Sequence, residues 1–231
     1  MPDLSKRSYK KEILDLDTTP FEDIKRTMQE LDFINTYLGG HSVTLEGFKK
    51  LLKEKKQITV CEIGCGGGDN LNAIKKWSKN KNLTVNFIGI DINLNCVEFA
   101  RQQNPSMEFI ASDYKKILFD NKPDIIFSSL FCHHFTDEEL VEMMQWMKTN
   151  STTGFFINDL HRHIIAYNFI KITTALFSRS YLVKNDGPLS VLRSFKKKDW
   201  RAILRRAGIT NYLIKWKWAY RFLIIVKNDQ Q

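Results

Sequence analysis

Residues 58–70 read ITVCEIGCGGGDN. A β-branched apolar run ends in one acid, Glu62, and gives way to a loop that is almost all glycine. Gly64, Gly66, Gly67 and Gly68 contribute no packing and lose more backbone entropy on folding than any other residue type. A tight strand-to-helix turn needs one or two glycines, so four point to a bare backbone that a ligand approaches closely. Asp69-Asn70 then make a polar helix start. The stretch predicts a buried strand, a ligand-facing loop and a helix.

Working outward, strand-like runs recur at 58–63, 85–90, 107–110, 125–130 and 154–158, with helical patterns at 69–79, 93–103 and 137–148 between them. Strands apolar on both faces and separated by helices predict a parallel sheet covered on both sides. The tail adds runs at 209–216 and 220–226 whose connection is too short for a parallel crossover, so this pair is expected to be antiparallel. Upstream, Thr19-Pro20 is an N-cap and N1 pair for a helix over 21–38, Gly39-Gly40 stops it, and Ser42 is expected to cap a second helix through 55. Residues 1–18 are polar and expected to be poorly ordered. The organisation is a helical cap over 1–56 and an α/β domain over 57–231.

Composition bounds the rest. The chain has 231 residues, 43% hydrophobic and 26% charged, which places it among globular proteins. No apolar run reaches bilayer length, and the first residues lack the apolar core of a signal peptide. Cys61, Cys65, Cys96 and Cys132 form no CxxC pair and are expected to be reduced thiols in a cytoplasmic protein. The 35 Lys and Arg against 26 Asp and Glu give a net charge of +9. That charge permits nucleic acid, anionic membrane or acidic substrates and names none. The basic cluster at 196–206 is expected to be a solvated helix face.

In open α/β sheets ligands bind beyond the carboxyl ends of the strands, where strand order reverses. The residues there are Glu62 to Gly68; Asp91; Ser112-Asp113-Tyr114; Phe131-Cys132-His133-His134; and Asn158-Asp159-Leu160-His161. An acid ending the second strand suits the two hydroxyls of a ribose. An acid after the third suits an adenine amino group.

These motifs resemble those of the class I S-adenosylmethionine-dependent methyltransferases: EIGCGGG for the first motif, Asp91 in FIGIDIN for the second-strand acid, Asp113 in ASDY for the third, and the terminal hairpin. The resemblance covers residue 57 to the C-terminus. It implies a doubly wound, Rossmann-like, seven-stranded mixed sheet with an antiparallel C-terminal strand, and S-adenosylmethionine as cofactor. It assigns the cofactor to Glu62, Gly64, Cys65, Gly66 and Gly68, to Asp91 and Ile92, and to Ser112, Asp113, Tyr114 and Ser129. A dinucleotide-binding fold would want G-x-G-x-x-G, but Asp69-Asn70 stand where its third glycine belongs. A P-loop would need a following GK[ST].

With that donor, the sulfonium already activates the methyl group, so the protein must align nucleophile, methyl carbon and sulfur. An oxygen nucleophile also needs its proton removed, for which histidine is suited near neutral pH. His134 is the first candidate base, with His133 beside it and His161 after the fifth strand; Asp159 would orient one of them or cap the next helix. The histidines equally suit a role in shaping the site. Asp159, His161 and His163 with His133 and His134 are metal-ligand types, but strand gives way to helix at 159–163, so no metal is expected.

Residues 161–195 are expected to be a lid inserted in the domain: an apolar helix, a turn at Asp186-Gly187-Pro188, then Ser190, Arg193 and Ser194. A core-filling helix, a dimer contact or a shallow membrane contact fits the same segment. Arg162, Arg193 and Tyr37 are the candidate substrate-binding residues. NDLHRH and DGPLSVLRSF resemble small-molecule methyltransferases of the bacterial quinone and polyketide type. The expected function is methyl transfer to an oxygen or carbon of a small aromatic or polyketide-like molecule, by a monomer or homodimer without a nucleic-acid partner. Two other readings stay open: an RNA or protein methyltransferase, and a non-catalytic adenosylmethionine-binding protein.

Overall fold

The computed structural model describes residues 2–15, 19–52, 54–79 and 81–228. Seven strands form one sheet: β1 (Gln57–Ile63), β2 (Thr84–Asp91), β3 (Glu108–Ala111), β4 (Ile125–Ser129), β5 (Gly154–Leu160), β6 (Tyr212–Lys217) and β7 (Arg221–Lys227). Their order is β3-β2-β1-β4-β5-β7-β6. β1 to β5 run parallel, and β7 is antiparallel to both β5 and β6. Strand order reverses between β1 and β4, which puts the glycine loop at the switch point.

Alternation along β1 sets the two cores. Ile58 and Val60 face a cluster with Phe48 of α2 (Gly40–Leu51), Leu71 and Ile74 of α3 (Asp69–Ser78) and Val97 of α4 (Leu94–Gln103). Cys61 and Ile63 face the opposite cluster, with the methionines of α5 (Asp137–Asn150) and Trp200 of α8 (Lys197–Arg206). Glu62 shares the face of Val60 and is buried at the strand's carboxyl end. α8 is amphipathic as expected: Trp200, Ile203 and Leu204 point inward and leave its lysines and arginines to solvent. All four cysteines are free and buried. No helix among the described residues is long and apolar enough to cross a membrane.

Three local expectations are corrected. The second helix begins at Gly40, after a left-handed Gly39, and not at Ser42. The described part of residues 1–18 is packed against the domain. Arg7, 9% exposed, donates from Nε to the carbonyl of Arg193 at 2.8 Å, pairs through Nη1 with Asp137 at 2.5 Å, and stacks 4.2 Å from the Phe195 ring centre. Polar composition suggested a loose tail because these partners lie more than a hundred residues away. Finally, Asp186-Gly187-Pro188 do not turn. They lie inside α7 (Tyr181–Arg193), which pairs with α6 (Ile164–Phe177). Gly187 is needed there for helix contact: a Cβ would sit 3.0 Å from Ile170 of α6.

Candidate active site

The glycine loop is shaped first by the protein itself. Gly64, Gly66 and Gly68 are left-handed, with φ of 66, 49 and 75°. A Cβ on Gly64 would meet the Phe131 ring at 2.1 Å, one on Gly67 the Phe99 ring at 3.0 Å and one on Gly68 the Phe109 ring at 2.9 Å. Backbone shape and aromatic packing therefore account for these glycines, and ligand approach is not needed to explain all four. The Gly66 N–H donates to Asp91 Oδ2 at 2.8 Å and the Asn93 N–H to Oδ1 at 2.9 Å, so the second-strand acid fastens the loop. Burial raises the Asp91 pKa, while the Asn93 and Gly66 N–H groups oppose the shift.

Glu62 is fully buried, and neither carboxylate oxygen has a hydrogen-bond partner. Burial pushes its pKa well above the ordinary carboxylate range, Asp69 and Asp91 add to the shift, and the Asn70 amide opposes it. A buried carboxylate without donors is costly unless a cation or donor meets it. S-adenosylmethionine offers an ammonium group to Glu62 and ribose hydroxyls to Asp91, so these residues fit the donor. Around them, Asp113 Oδ1 accepts the Lys115 N–H, the Ser112 N–H bonds the Asp91 carbonyl, and Tyr114 is buried with a free hydroxyl. Ile92 is exposed, Cys65 is buried beneath the loop, and Ser129 Oγ accepts from Asn158 Nδ2 at 3.2 Å.

Beyond β4 and β5 lies a second site. A mainly apolar cavity of about 150 Å³ is walled by α1 (Phe21–Tyr37), α6 and α7, and its polar groups include Glu12, His133, His134, Asp186 and Arg221. Leu130, left-handed at φ 53°, turns the chain from β4 into the short 3-10 turn that carries both histidines. His133 Nδ1 lies 2.9 Å from Asp159 Oδ1, and His134 Nδ1 lies 2.7 Å from Asp15 Oδ1. Asp159 is fully buried; burial alone would raise its pKa, but the charge and hydrogen bond of His133 bring it below the usual carboxylate value. Asp15 is held low by His134 and Arg193 against the same opposing burial. Glu12, 3% exposed, is pushed up to about 7, by burial above all.

The other sequence candidates take different places. Arg193 is buried and spends its N–H groups on the carbonyls of Lys10, His133 and His134 and on Asp15, so it ties the N-terminal segment to the histidine turn. Arg162, also buried, bonds the carbonyls of Leu4 and Ser194 and pairs with Asp199 at 3.0 Å. His161 is outside the cavity, against His163, Tyr220 and Phe222, and accepts from Trp216 Nε1. Burial above all, with the neighbouring His163, Arg162 and Lys196, lowers its pKa to about 4. Tyr37 is 71% exposed on an outer cleft between α1 and α6 that shares walls with the cavity. Sequence reasoning missed Glu12, Asp15, Asp186 and Arg221. The available signal was KKEILDLD, an acid-flanked apolar pair in an otherwise polar arm: Asp186 accepts the N–H groups of Ile13 and Leu14 at 2.9 and 3.0 Å.

Residues 60–154 match a family model described as a methyltransferase domain. No curated protein matches the sequence. Among solved structures, the chain is similar to the plantazolicin methyltransferase BpumL in complex with S-adenosylhomocysteine, at 17% identity and TM-score 0.65 over 93% of this chain and 91% of that one. It is similar to magnesium protoporphyrin IX methyltransferase from Synechocystis PCC 6803, at 16% identity and TM-score 0.52 over 92% and 89%. A third is human N-acetylserotonin methyltransferase, at 14% and 0.62 over 90% and 56%. At these identities the likeness is one of fold. The matched segment runs from β1 to the start of β5 and holds the glycine loop, Asp91 and Asp113, so residues 60–154 form a methyltransferase domain.

Proposed function

We propose that this methyltransferase acts on an oxygen or carbon of a small, largely apolar molecule, aromatic or polyketide-like, held in the cavity under α6 and α7. The observation that carries this reading is the cavity's composition: largely apolar walls with both histidines of the turn among its lining residues. Such a site suits a compact acceptor with one polar reacting group.

S-adenosylmethionine supplies an electrophilic methyl group when bound. Glu62 and Asp91 hold the donor's amino and ribose groups, and the glycine loop fixes their spacing. The His133–Asp159 and His134–Asp15 pairs fix both imidazoles at Nδ1 and leave Nε2 to meet an acceptor hydroxyl, whose proton must leave as the new bond forms. The walls exclude water that would otherwise compete for the same groups.

The test is methyl transfer from labelled S-adenosylmethionine to a panel of phenols and enols of graded size, with bulk RNA and protein as competing acceptors. Transfer to phenols or enols is expected; labelling of RNA or protein alone sinks the reading. Calorimetry on Asp91→Ala should show donor affinity weaker by at least tenfold, and an unchanged affinity would remove Asp91 from the donor site.

A further inference from the structure

We propose that Glu12, His133 and His134 form a divalent-metal site of zinc type at the polar end of the acceptor cavity. The inference rests on the reading of that cavity as the acceptor site and puts an ion between the two imidazoles and the acceptor, in place of their direct contact.

Geometry carries the proposal. Each imidazole is pinned at Nδ1 by its own carboxylate, His133 by Asp159 and His134 by Asp15. Metal-bound histidines are commonly held this way, the outer carboxylate fixing ring orientation and basicity. Both Nε2 atoms then approach one carboxylate. His133 Nε2 is 3.6 Å from Glu12 Oε1, and His134 Nε2 is 3.8 Å from Glu12 Oε2. Those distances are too long for hydrogen bonds. They are close to the roughly 3.4 Å between two ligand atoms at tetrahedral angles on zinc, with bonds of about 2.1 Å. All three residues offer a ligand atom within 4.8 Å of the others.

Charge agrees. The carboxylates of Glu12, Asp15 and Asp159 surround two imidazoles, and Arg193 is the one guanidinium among the described side chains paired to them. Two nitrogens and one carboxylate suit zinc or ferrous iron better than magnesium. All three residues line the cavity, so an ion's remaining positions face the acceptor. A second His and Asp group, Asp32, His41 and Asp69, differs in kind. There His41 Nε2 already bonds Asp69 at 2.8 Å, Asn35 bonds the same oxygen, and Asp32 is largely exposed.

With the ion in place, His133 and His134 serve as ligands and the ion acidifies the acceptor. A bound hydroxyl releases its proton to bulk water. An oxygen lone pair then forms the O–CH₃ bond as the S–CH₃ bond breaks, and that bonding pair stays on sulfur.

The test uses the full chain stripped with a chelator, then dialysed against labelled Zn²⁺, with Co²⁺ absorption as the reporter of donor set. One zinc per chain is expected, bound at least tenfold more weakly by Glu12→Gln and by His133→Ala and unchanged in His41→Ala. Co²⁺ in the wild-type chain should give the visible bands of a four- or five-coordinate nitrogen and oxygen site, which needs no variant to fold. Failure to bind zinc, or zinc that leaves with His41→Ala instead, overturns the site. Phenol methylation that proceeds unchanged in chelator without zinc binding overturns the site and leaves the proposed function standing. Zinc bound as expected with no methyl transfer to any phenol or enol supports the site and sinks that function.

Discussion

The proposed donor half and the proposed acceptor half of this molecule are assembled on different scales. The donor half is local in sequence: Glu62, the glycine loop and Asp91 lie on two neighbouring strands, and the Gly66–Asp91 bond spans 25 residues. The acceptor half is gathered from the whole chain. His134 meets Asp15 across 119 residues, and Arg193 reaches the same Asp15 across 178. Binding the donor should therefore survive damage that abolishes turnover, and the converse should be rare.

The largest effect expected from breaking that division is at Asp159. Asp159→Asn removes the charge that pairs with His133 and is expected to lower turnover by about 10²- to 10⁴-fold. Donor affinity by calorimetry should stay within a factor of about three. A matching loss of donor binding would show that the two halves are not separable.

Next is Arg193→Ala, which breaks the junction itself. It strips a buried guanidinium from Asp15 and from three carbonyls, and breaking one side of such a pair costs about 3 kcal/mol. Urea unfolding should show that loss, and limited proteolysis should cut near residue 10 first.

A smaller effect sharpens the donor side. Gly64 and Gly208 share a left-handed backbone, φ 66 and 70°, but a Cβ at Gly208 meets nothing within 4 Å. Gly208→Ala should cost about 1 kcal/mol from backbone strain. Gly64→Ala adds the clash with Phe131 and should cost about 1 kcal/mol more. Equal losses would mean that Phe131 moves aside freely.

The finest test is Glu62. Its raised pKa means that the folded protein binds a proton more tightly than the unfolded chain. Stability relative to Glu62→Gln is therefore lost as pH rises above the ordinary carboxylate range. An ammonium placed against Glu62 favours its charged form, so donor binding should release up to about one proton. Calorimetry in buffers of differing ionisation enthalpy measures this, and Glu62→Gln should abolish it.

The same contrast explains what could be read in advance. Sheet order and the antiparallel tail follow from contiguous patterns of apolar strands and glycines, and the strand-end carboxylates Glu62 and Asp91 stand where those patterns place them. The acceptor side was legible only as far as a stretch such as FCHHF announces itself. Nothing local says that Asp186 holds the Ile13 and Leu14 N–H groups, or that Arg193 belongs to the histidine turn and not to a ligand. Asp-Gly-Pro was read as a turn because that is its usual meaning, but packing of α7 on α6 kept it helical. His133 and His161 looked alike in sequence. Their strands end them in different places, one beside Asp159 in the cavity and one under Trp216 outside it.

The docked N-terminal segment also bears on the protein during its synthesis. Glu12 and Asp15 leave the ribosome well before Arg193, which follows 178 residues after Asp15. At about 5–20 residues per second, that is a wait of roughly 10–40 s. A nascent chain stalled after β5 already carries the glycine loop, yet Ile13, Leu14 and Asp15 then have no Asp186 or Arg193 to bind and remain open to proteases and chaperones. The histidine turn thus gains its Asp15 and Glu12 partners in place only after α7 has emerged.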